Sequence, residues 1–348
     1  MKELAGRLGL LVMSVLVTLA GLELGCRLWR GPDTLLAWPN LVAQQFTNSQ
    51  TWCDNRDDPE LGWVPTPGCA KPLYHHDADG FRVVPSLSGE PLEGPPLLIT
   101  GDSYAYGEEV ADGETWAAYL QTLIGARTIN AGVPGYGLDQ IVLRSERLAA
   151  SLAPAVLVVT FIPDDIERNE MGRLWGGEKP YFELIGDRLE LRRVPVPPSG
   201  GNLLFWPKIF GWSLLVDTIA RRLGLVEEWY FDDRRVLPKG SGERMVCPLM
   251  RRLARLATPT LVVAQYPPGV WRDGANEATE QRRLAQLVLR CADAAGLPTL
   301  DTFQLVNDAV RARGPDALYR IWHHNAEGNH LIAQAIVAEL RRRHMLPR

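Results

Sequence analysis

The chain offers little to a metal ion or to a nucleic acid. Its five cysteines, Cys26, Cys53, Cys69, Cys247 and Cys291, form no C-x-x-C pair and no Cys/His spacing of the zinc-binding kind. No metal and no cofactor is expected. Charge of one sign is not in excess either: 37 Lys and Arg face 41 Asp and Glu, a net charge of -4. That gives no electrostatic footprint for a nucleic-acid partner. Internal repeats and low-complexity tracts are lacking. Beyond residues 8–22 there is no long apolar run.

What is present is ordinary globular material. At 348 residues, with 46% hydrophobic and 22% charged residues, the chain has enough to build one large core or two small ones. Eleven tryptophans make a high count. Core and interface packing accounts for them as well as a ligand groove would.

Lys2 and Arg7 precede the uncharged run from Leu8 to Leu22, and Glu23, Arg27 and Arg30 follow it. The run is short of the about 20 residues a spanning helix needs, and it fits a signal-peptide core. Thr18-Leu19-Ala20 is a passable cleavage site, whereas Leu24, Gly25, Leu28 and Trp29 can extend the helix to the far interface. Glu23-Leu24-Gly25 is a poor lipobox ahead of Cys26. Residues 1–30 are read as an uncleaved membrane anchor, and either reading exports the rest. In an exported chain Cys53 and Cys69 can close a short disulfide loop or stay as free thiols. Residues 31–96 are rich in Pro, Gly and Asp and read as an extended lead-in. Its aromatic residues Trp52, Trp63, Tyr74 and Phe81 favour packing on the main domain over a free linker.

From Leu97 strands and helices alternate. Leu97 to Thr100, Thr128 to Asn130, Ala155 to Ile162, Leu261 to Gln265 and Thr299 to Asp301 read as strands. Glu114 to Ile124, Leu138 to Leu152, Glu243 to Leu256, Asn276 to Ala295 and Glu327 to Arg343 read as helices. Repeated βα units predict a three-layer α/β/α domain over 97–348, with a central parallel sheet. The alternation breaks at about 170–242. There a hairpin turning at Gly186-Asp187 precedes a Pro-rich piece and an aromatic segment, read as a lid or platform inserted over the site.

Four short blocks carry the chemistry. Leu97-Leu98-Ile99-Thr100 runs into Gly101-Asp102-Ser103, placing a serine just past the carboxyl end of a buried strand, where open α/β sheets bind ligands. The plain alternative is a tight turn whose Asp and Ser cap a helix. Asn130-Ala131-Gly132 follows the second strand, Asp164-Asp165 the third, and His323-His324-Asn325-Ala326-Glu327-Gly328 lies near the C-terminus.

In this order the blocks resemble those of the SGNH (GDSL-type) hydrolases, over Leu97 to the C-terminal helix. Asp58-Pro59-Glu60-Leu61-Gly62-Trp63 and Asp79-Gly80-Phe81-Arg82 resemble the lead-in of membrane-anchored bacterial members. The resemblance implies a flavodoxin-like fold, Ser103 as nucleophile and His323 as base, with His324 as the competitor for that role. It implies an oxyanion hole built from the N–H groups of Ser103 and Gly132 and from position 164. Two residues depart from the pattern. Ile321 stands where many members carry the acid that orients the histidine, so Asp316 or Asp301 takes that role or the site is a Ser-His dyad. Asp164 stands in place of an asparagine, and an ionised carboxylate cannot donate to an oxyanion. The expected function is an exported serine esterase or O-acyl (acetyl) transferase acting on an ester of a cell-surface glycan. The alternative is a catalytically impaired glycan-binding or assembly module. Lipase action on long acyl chains finds no support, since no apolar stretch beyond the anchor would serve it.

Overall fold

In a computed structural model the described residues are 2–41, 53–86, 92–174, 177–186, 188–198, 205–225, 229 and 242–346. Five strands are parallel neighbours: β1 (Leu97–Thr100), β2 (Thr128–Asn130), β3 (Val156–Phe161), β4 (Thr260–Ala264) and β5 (Thr299–Asp301). The helices are, in chain order, α1 (Lys2–Arg30), α2 (Ser103–Tyr106), α3 (Trp116–Ile124), α4 (Leu138–Leu152) and α5 (Asp164–Arg168). They continue with α6 (Phe205–Phe210), α7 (Leu214–Arg222), α8 (Gly242–Leu253), α9 (Ala275–Ala294), α10 (Phe303–Arg313) and α11 (Ala326–Arg342).

The chain divides into two compact units. One gathers residues 1–48, 175–177 and 199–235, and the other holds the rest, including the sheet. The sheet order is β5-β4-β3-β1-β2, the flavodoxin-like arrangement. Leu97 pairs with Thr128 on one side and Val156 on the other. The chain therefore reverses direction across the sheet between β1 and β3, and α/β sheets open a crevice at the carboxyl ends of such strands.

Alternation along the strands sends side chains to both faces. Leu98, Leu157, Val159 and Val262 pack with residues of α4, α8 and α9. Leu97, Ile99, Val158 and Val263 pack with residues of α3, α10 and α11. Every residue of β1, β3 and β4 is buried, which is why these strands read as continuous apolar runs rather than alternating ones. Each such Leu or Val removed from water is worth about 1.5–3 kcal/mol. Helix ends are set locally: Thr115 accepts from Ala118 N at the start of α3, and Gly125, at φ 67°, closes it. Helix α10 has no counterpart in the sequence reading.

Residues 53–86 belong to the sheet-bearing unit. Asn55–Asp58 and Gly62–Pro65 form an antiparallel hairpin, and Cys53 and Cys69 are joined in a disulfide. A second disulfide, Cys247–Cys291, joins α8 to α9 and was not foreseen. The insertion does not stay in one piece. Its hairpin, Tyr181–Ile185 with Arg188–Arg192, remains with the sheet, whereas α6 and α7 group with α1. The segment expected as one insertion at about 170–242 is thus divided between the two units. Asp187 of the expected turn, Trp52 and parts of the aromatic segment lie outside the described residues.

Candidate active site

The first element of the site is the elbow after β1. A Cβ at Gly101 would lie 2.5 Å from Thr160 Oγ1 and 2.6 Å from the Ala105 side chain. Only glycine lets α2 start so close to β3. Asp102 caps α2 by accepting from Tyr104 N at 2.9 Å. Ser103 opens the helix. Its N–H is bonded to no described residue, and its Oγ lies 2.9 Å from His323 Nε2.

His323 reaches this edge on the loop before α11. Asn325 caps that helix, accepting from Gly328 N at 3.0 Å, and Tyr104 donates its hydroxyl proton to Trp322 O at 2.6 Å. The neighbouring histidine turns away. His324 stacks on Tyr319 at 4.6 Å, is buried, and makes no hydrogen bond through either ring nitrogen. Burial first, and then the charge of His323, push its imidazole down to about 3, so His324 is a neutral core residue.

The carboxylates nearest His323 come from an unexpected place. Asp316 is spent on Arg272 at 2.6 Å, and Asp301 accepts from Tyr266 OH and Phe303 N. Neither is paired with His323. Glu109 lies nearer: its Oε2 accepts from the backbone N–H groups of Trp322 and His323 at 3.1 Å each and stands 3.9 Å from His323 Nδ1, a nitrogen that makes no hydrogen bond. Glu108, one residue earlier, places Oε2 3.3 Å from His323 Nε2. Glu109 adopts φ 68°, which costs a non-glycine residue energy and is most often retained where function needs it. Arg82, fully buried, pins the loop by donating to Gly107 O and Val110 O and pairing with Asp112 at 2.6 Å.

These carboxylates set the protonation of the site. Burial alone would lower the His323 pKa, but Glu109, Glu108 and Asp102 outweigh it and leave the imidazole above its ordinary value. Burial likewise opposes ionisation of Glu109, yet its bonds to His323 and Trp322 bring it down to about 2. Glu108 goes up, because burial dominates there. For Nε2 to act as a base the ring proton must sit on Nδ1, which is the nitrogen facing Glu109.

The expected oxyanion donors fare differently. Gly132 N donates to Asn130 Oδ1 at 3.1 Å, and a Cβ at Gly132 would lie 2.3 Å from Tyr106 N. The glycine is required for close packing against α2, and its N–H is already engaged. Asp164 accepts from Gln281 Nε2 at 2.8 Å. Asp165 is the buried acid of that pair. It accepts from Ile162 N and from Arg168 at 2.6 Å, with Asp102 Oδ2 3.9 Å from the same guanidinium. The arrangement thus leaves the Ser103 N–H available and does not present Gly132 or Asp164 as free donors.

The one cluster of metal-ligand residue types among the described residues is Cys53, Cys69 and His76. The cysteines are joined to each other, and His76 uses both nitrogens on Thr66 O and Tyr106 OH. An open cavity of about 1020 Å³ borders Glu109 and is walled by Tyr74, Tyr319, Ile321 and Asn325. Ser103 and His323 do not line it.

No family model and no curated protein matches the chain. Several solved structures do. An alpha/beta hydrolase enzyme from the metagenome of Lake Arreo, Spain, is 16% identical over 72% of this chain and 96% of its own, with a TM-score of 0.44. Axe2, an acetylxylan esterase from Geobacillus stearothermophilus, is 15% identical over 71% and 94%, with a TM-score of 0.43. A member of the lipolytic protein G-D-S-L family from Veillonella parvula is 12% identical over 72% and 100%, with a TM-score of 0.40.

Proposed function

We propose that this chain is an exported, membrane-anchored serine esterase or O-acyl transferase. The observation that carries the reading is the 2.9 Å contact between Ser103 Oγ and His323 Nε2 at the switch edge of the sheet. Ser103 Oγ attacks the ester carbonyl while His323 Nε2 takes its proton and returns it to the departing alcohol. The acyl group, now on Ser103, passes to water in an esterase or to a substrate hydroxyl in a transferase. Glu109 steadies the imidazolium formed on the way, and the Ser103 N–H faces the negative oxygen. No cofactor enters this scheme.

Export is supported by the two disulfides, which persist in oxidising compartments. Helix α1 is long and apolar enough to cross a membrane, and it anchors the chain in this reading. A site tethered outside the cytoplasm meets acyl esters of surface polysaccharides, so an O-acetylated glycan is the substrate class to try first. Turnover of p-nitrophenyl acetate tests the reading. It requires activity in the wild type and its loss in both Ser103→Ala and His323→Ala.

One observation favours a second reading. With the Gly132 N–H engaged and a carboxylate at Asp164, the Ser103 N–H is the one left of the three expected oxyanion donors. A glycan-binding module that keeps the fold without turnover fits that deficit. Saturable binding of an O-acetylated oligosaccharide without Ser103-dependent release of acetate would select it.

A further inference from the structure

We infer that residues 205–225 form a second membrane contact, an aromatic shelf lying in the interfacial layer of the bilayer that α1 crosses. The inference rests on the reading of α1 as a spanning anchor and adds to it a surface that touches lipid.

The argument starts from Glu23. The uncharged run from Leu8 to Leu22 ends immediately before it, and at 1.5 Å per residue those residues cover only about 22 Å. The hydrocarbon layer is about 30 Å thick. Glu23 therefore stands close to the membrane boundary, where a carboxylate is costly unless it is paired. It is buried and fully engaged. It accepts from Ser213 Oγ at 2.7 Å, from Leu214 N at 3.1 Å, from Leu215 N at 2.9 Å and from Arg27 Nε at 2.8 Å. Arg27, buried as well, donates to Trp212 O at 2.8 Å and lies over the Trp38 ring. These bonds tie residues 212–215 to the depth of Glu23. A second tie holds α6: Asn40 Nδ2 donates to Pro207 O and Leu41 N to Gly211 O.

What these ties hold in place is apolar and partly exposed. Trp206 is 53% exposed, Ile209 41%, Phe210 38% and Trp212 39%. Trp206 and Phe210 stack with ring centroids 5.8 Å apart. Lys208 in α6 and Arg222 at the end of α7 are exposed as well. Tryptophan and phenylalanine flanked by cations at the end of a span are what the interfacial layer of a bilayer favours. Continuity with α1, whose apolar side chains are exposed along its length, makes lipid the occupant rather than a second protein.

Depth-dependent quenching tests this in the full-length protein reconstituted in phosphatidylcholine–phosphatidylglycerol vesicles. In a Cys26→Ala background an environment-sensitive fluorophore is placed through Met13→Cys, Trp206→Cys or Phe210→Cys, and nitroxide-bearing lipids are the quenchers. Lys208→Cys, a charged exposed position in α6, gives a reading should loss of an aromatic ring disturb the fold. Loss of emission at 206, 208 and 210 with headgroup-proximal nitroxides and loss at 13 with deep ones supports the inference. Quenching at 13 with none at 206, 208 or 210 overturns the shelf and leaves the anchor standing. No quenching at 13 overturns the anchor, and the shelf with it.

Discussion

Replacing Glu109 by Gln keeps the shape of the side chain and removes the charge 3.9 Å from His323 Nδ1. Two unit charges at about that distance interact by about 1 kcal/mol in water and about 4 kcal/mol at the effective dielectric of a protein surface. The His323 and Glu109 side chains are 13% and 15% exposed, which places the pair between those limits and nearer the upper one. Losing about 2–3 kcal/mol of imidazolium stabilisation lowers kcat roughly 30- to 150-fold, with KM little changed. The pH profile shifts as well. Glu109 is the first of the groups that raise His323 above its ordinary value, so without the charge the imidazole gives up its proton at lower pH. The acid limb of kcat/KM in Glu109→Gln then moves to lower pH, and Glu109→Asp recovers part of both effects. Hydrolysis of p-nitrophenyl acetate from about pH 5 to about pH 9, with an NMR titration of His323, reads the two quantities separately. A kcat within twofold of wild type together with an unmoved His323 titration would refute the assignment of Glu109 as the orienting acid.

Three further outcomes follow from the same geometry. Asp164→Asn keeps an oxygen to accept from Gln281 and adds an amide donor, so kcat at neutral pH rises, by up to roughly 10²–10³-fold if the amide reaches the oxyanion. A drop in kcat would show that the carboxylate itself is used. Arg82→Met leaves Asp112 without its buried partner and frees the 107–110 loop, costing about 3–5 kcal/mol in denaturant unfolding and lowering kcat more than it raises KM. Removing the Cys247–Cys291 bridge by paired Cys→Ser substitution costs about 4 kcal/mol for a loop spanning 44 residues, read as a lower unfolding midpoint with kcat unchanged.

The parallel sheet was legible because β1, β3 and β4 are buried on both faces and therefore read as short apolar runs, each stopped by glycine or a polar turn. The approach of His323 to Ser103 was expected from the order of the four blocks and the family resemblance they carry, not from either residue alone. Glu109 was not. It lies only six positions after Ser103, but nothing in the sequence shows that Gly107 and Glu109 both take positive φ and turn the carboxylate back toward residue 323. The one available signal was the pair Glu108-Glu109 directly after a Tyr-Gly turn. Cys247–Cys291 was hidden because pairing between distant helices is a tertiary fact. Helix α10 was missed because it buries little beyond Val306 and Val310. At Gly132 the residue type was right for a close backbone approach, and the approach the structure displays is to Tyr106.

Labelling of the full-length protein with a fluorophosphonate, followed by peptide mass spectrometry, tests the central claim most directly. A nucleophilic serine gives one adduct, on Ser103, which is lost in His323→Ala and slowed in Glu109→Gln. An unlabelled Ser103 in protein whose disulfides are intact, or an adduct that forms equally fast without His323, would contradict the assignment of Ser103 and His323 as a catalytic pair.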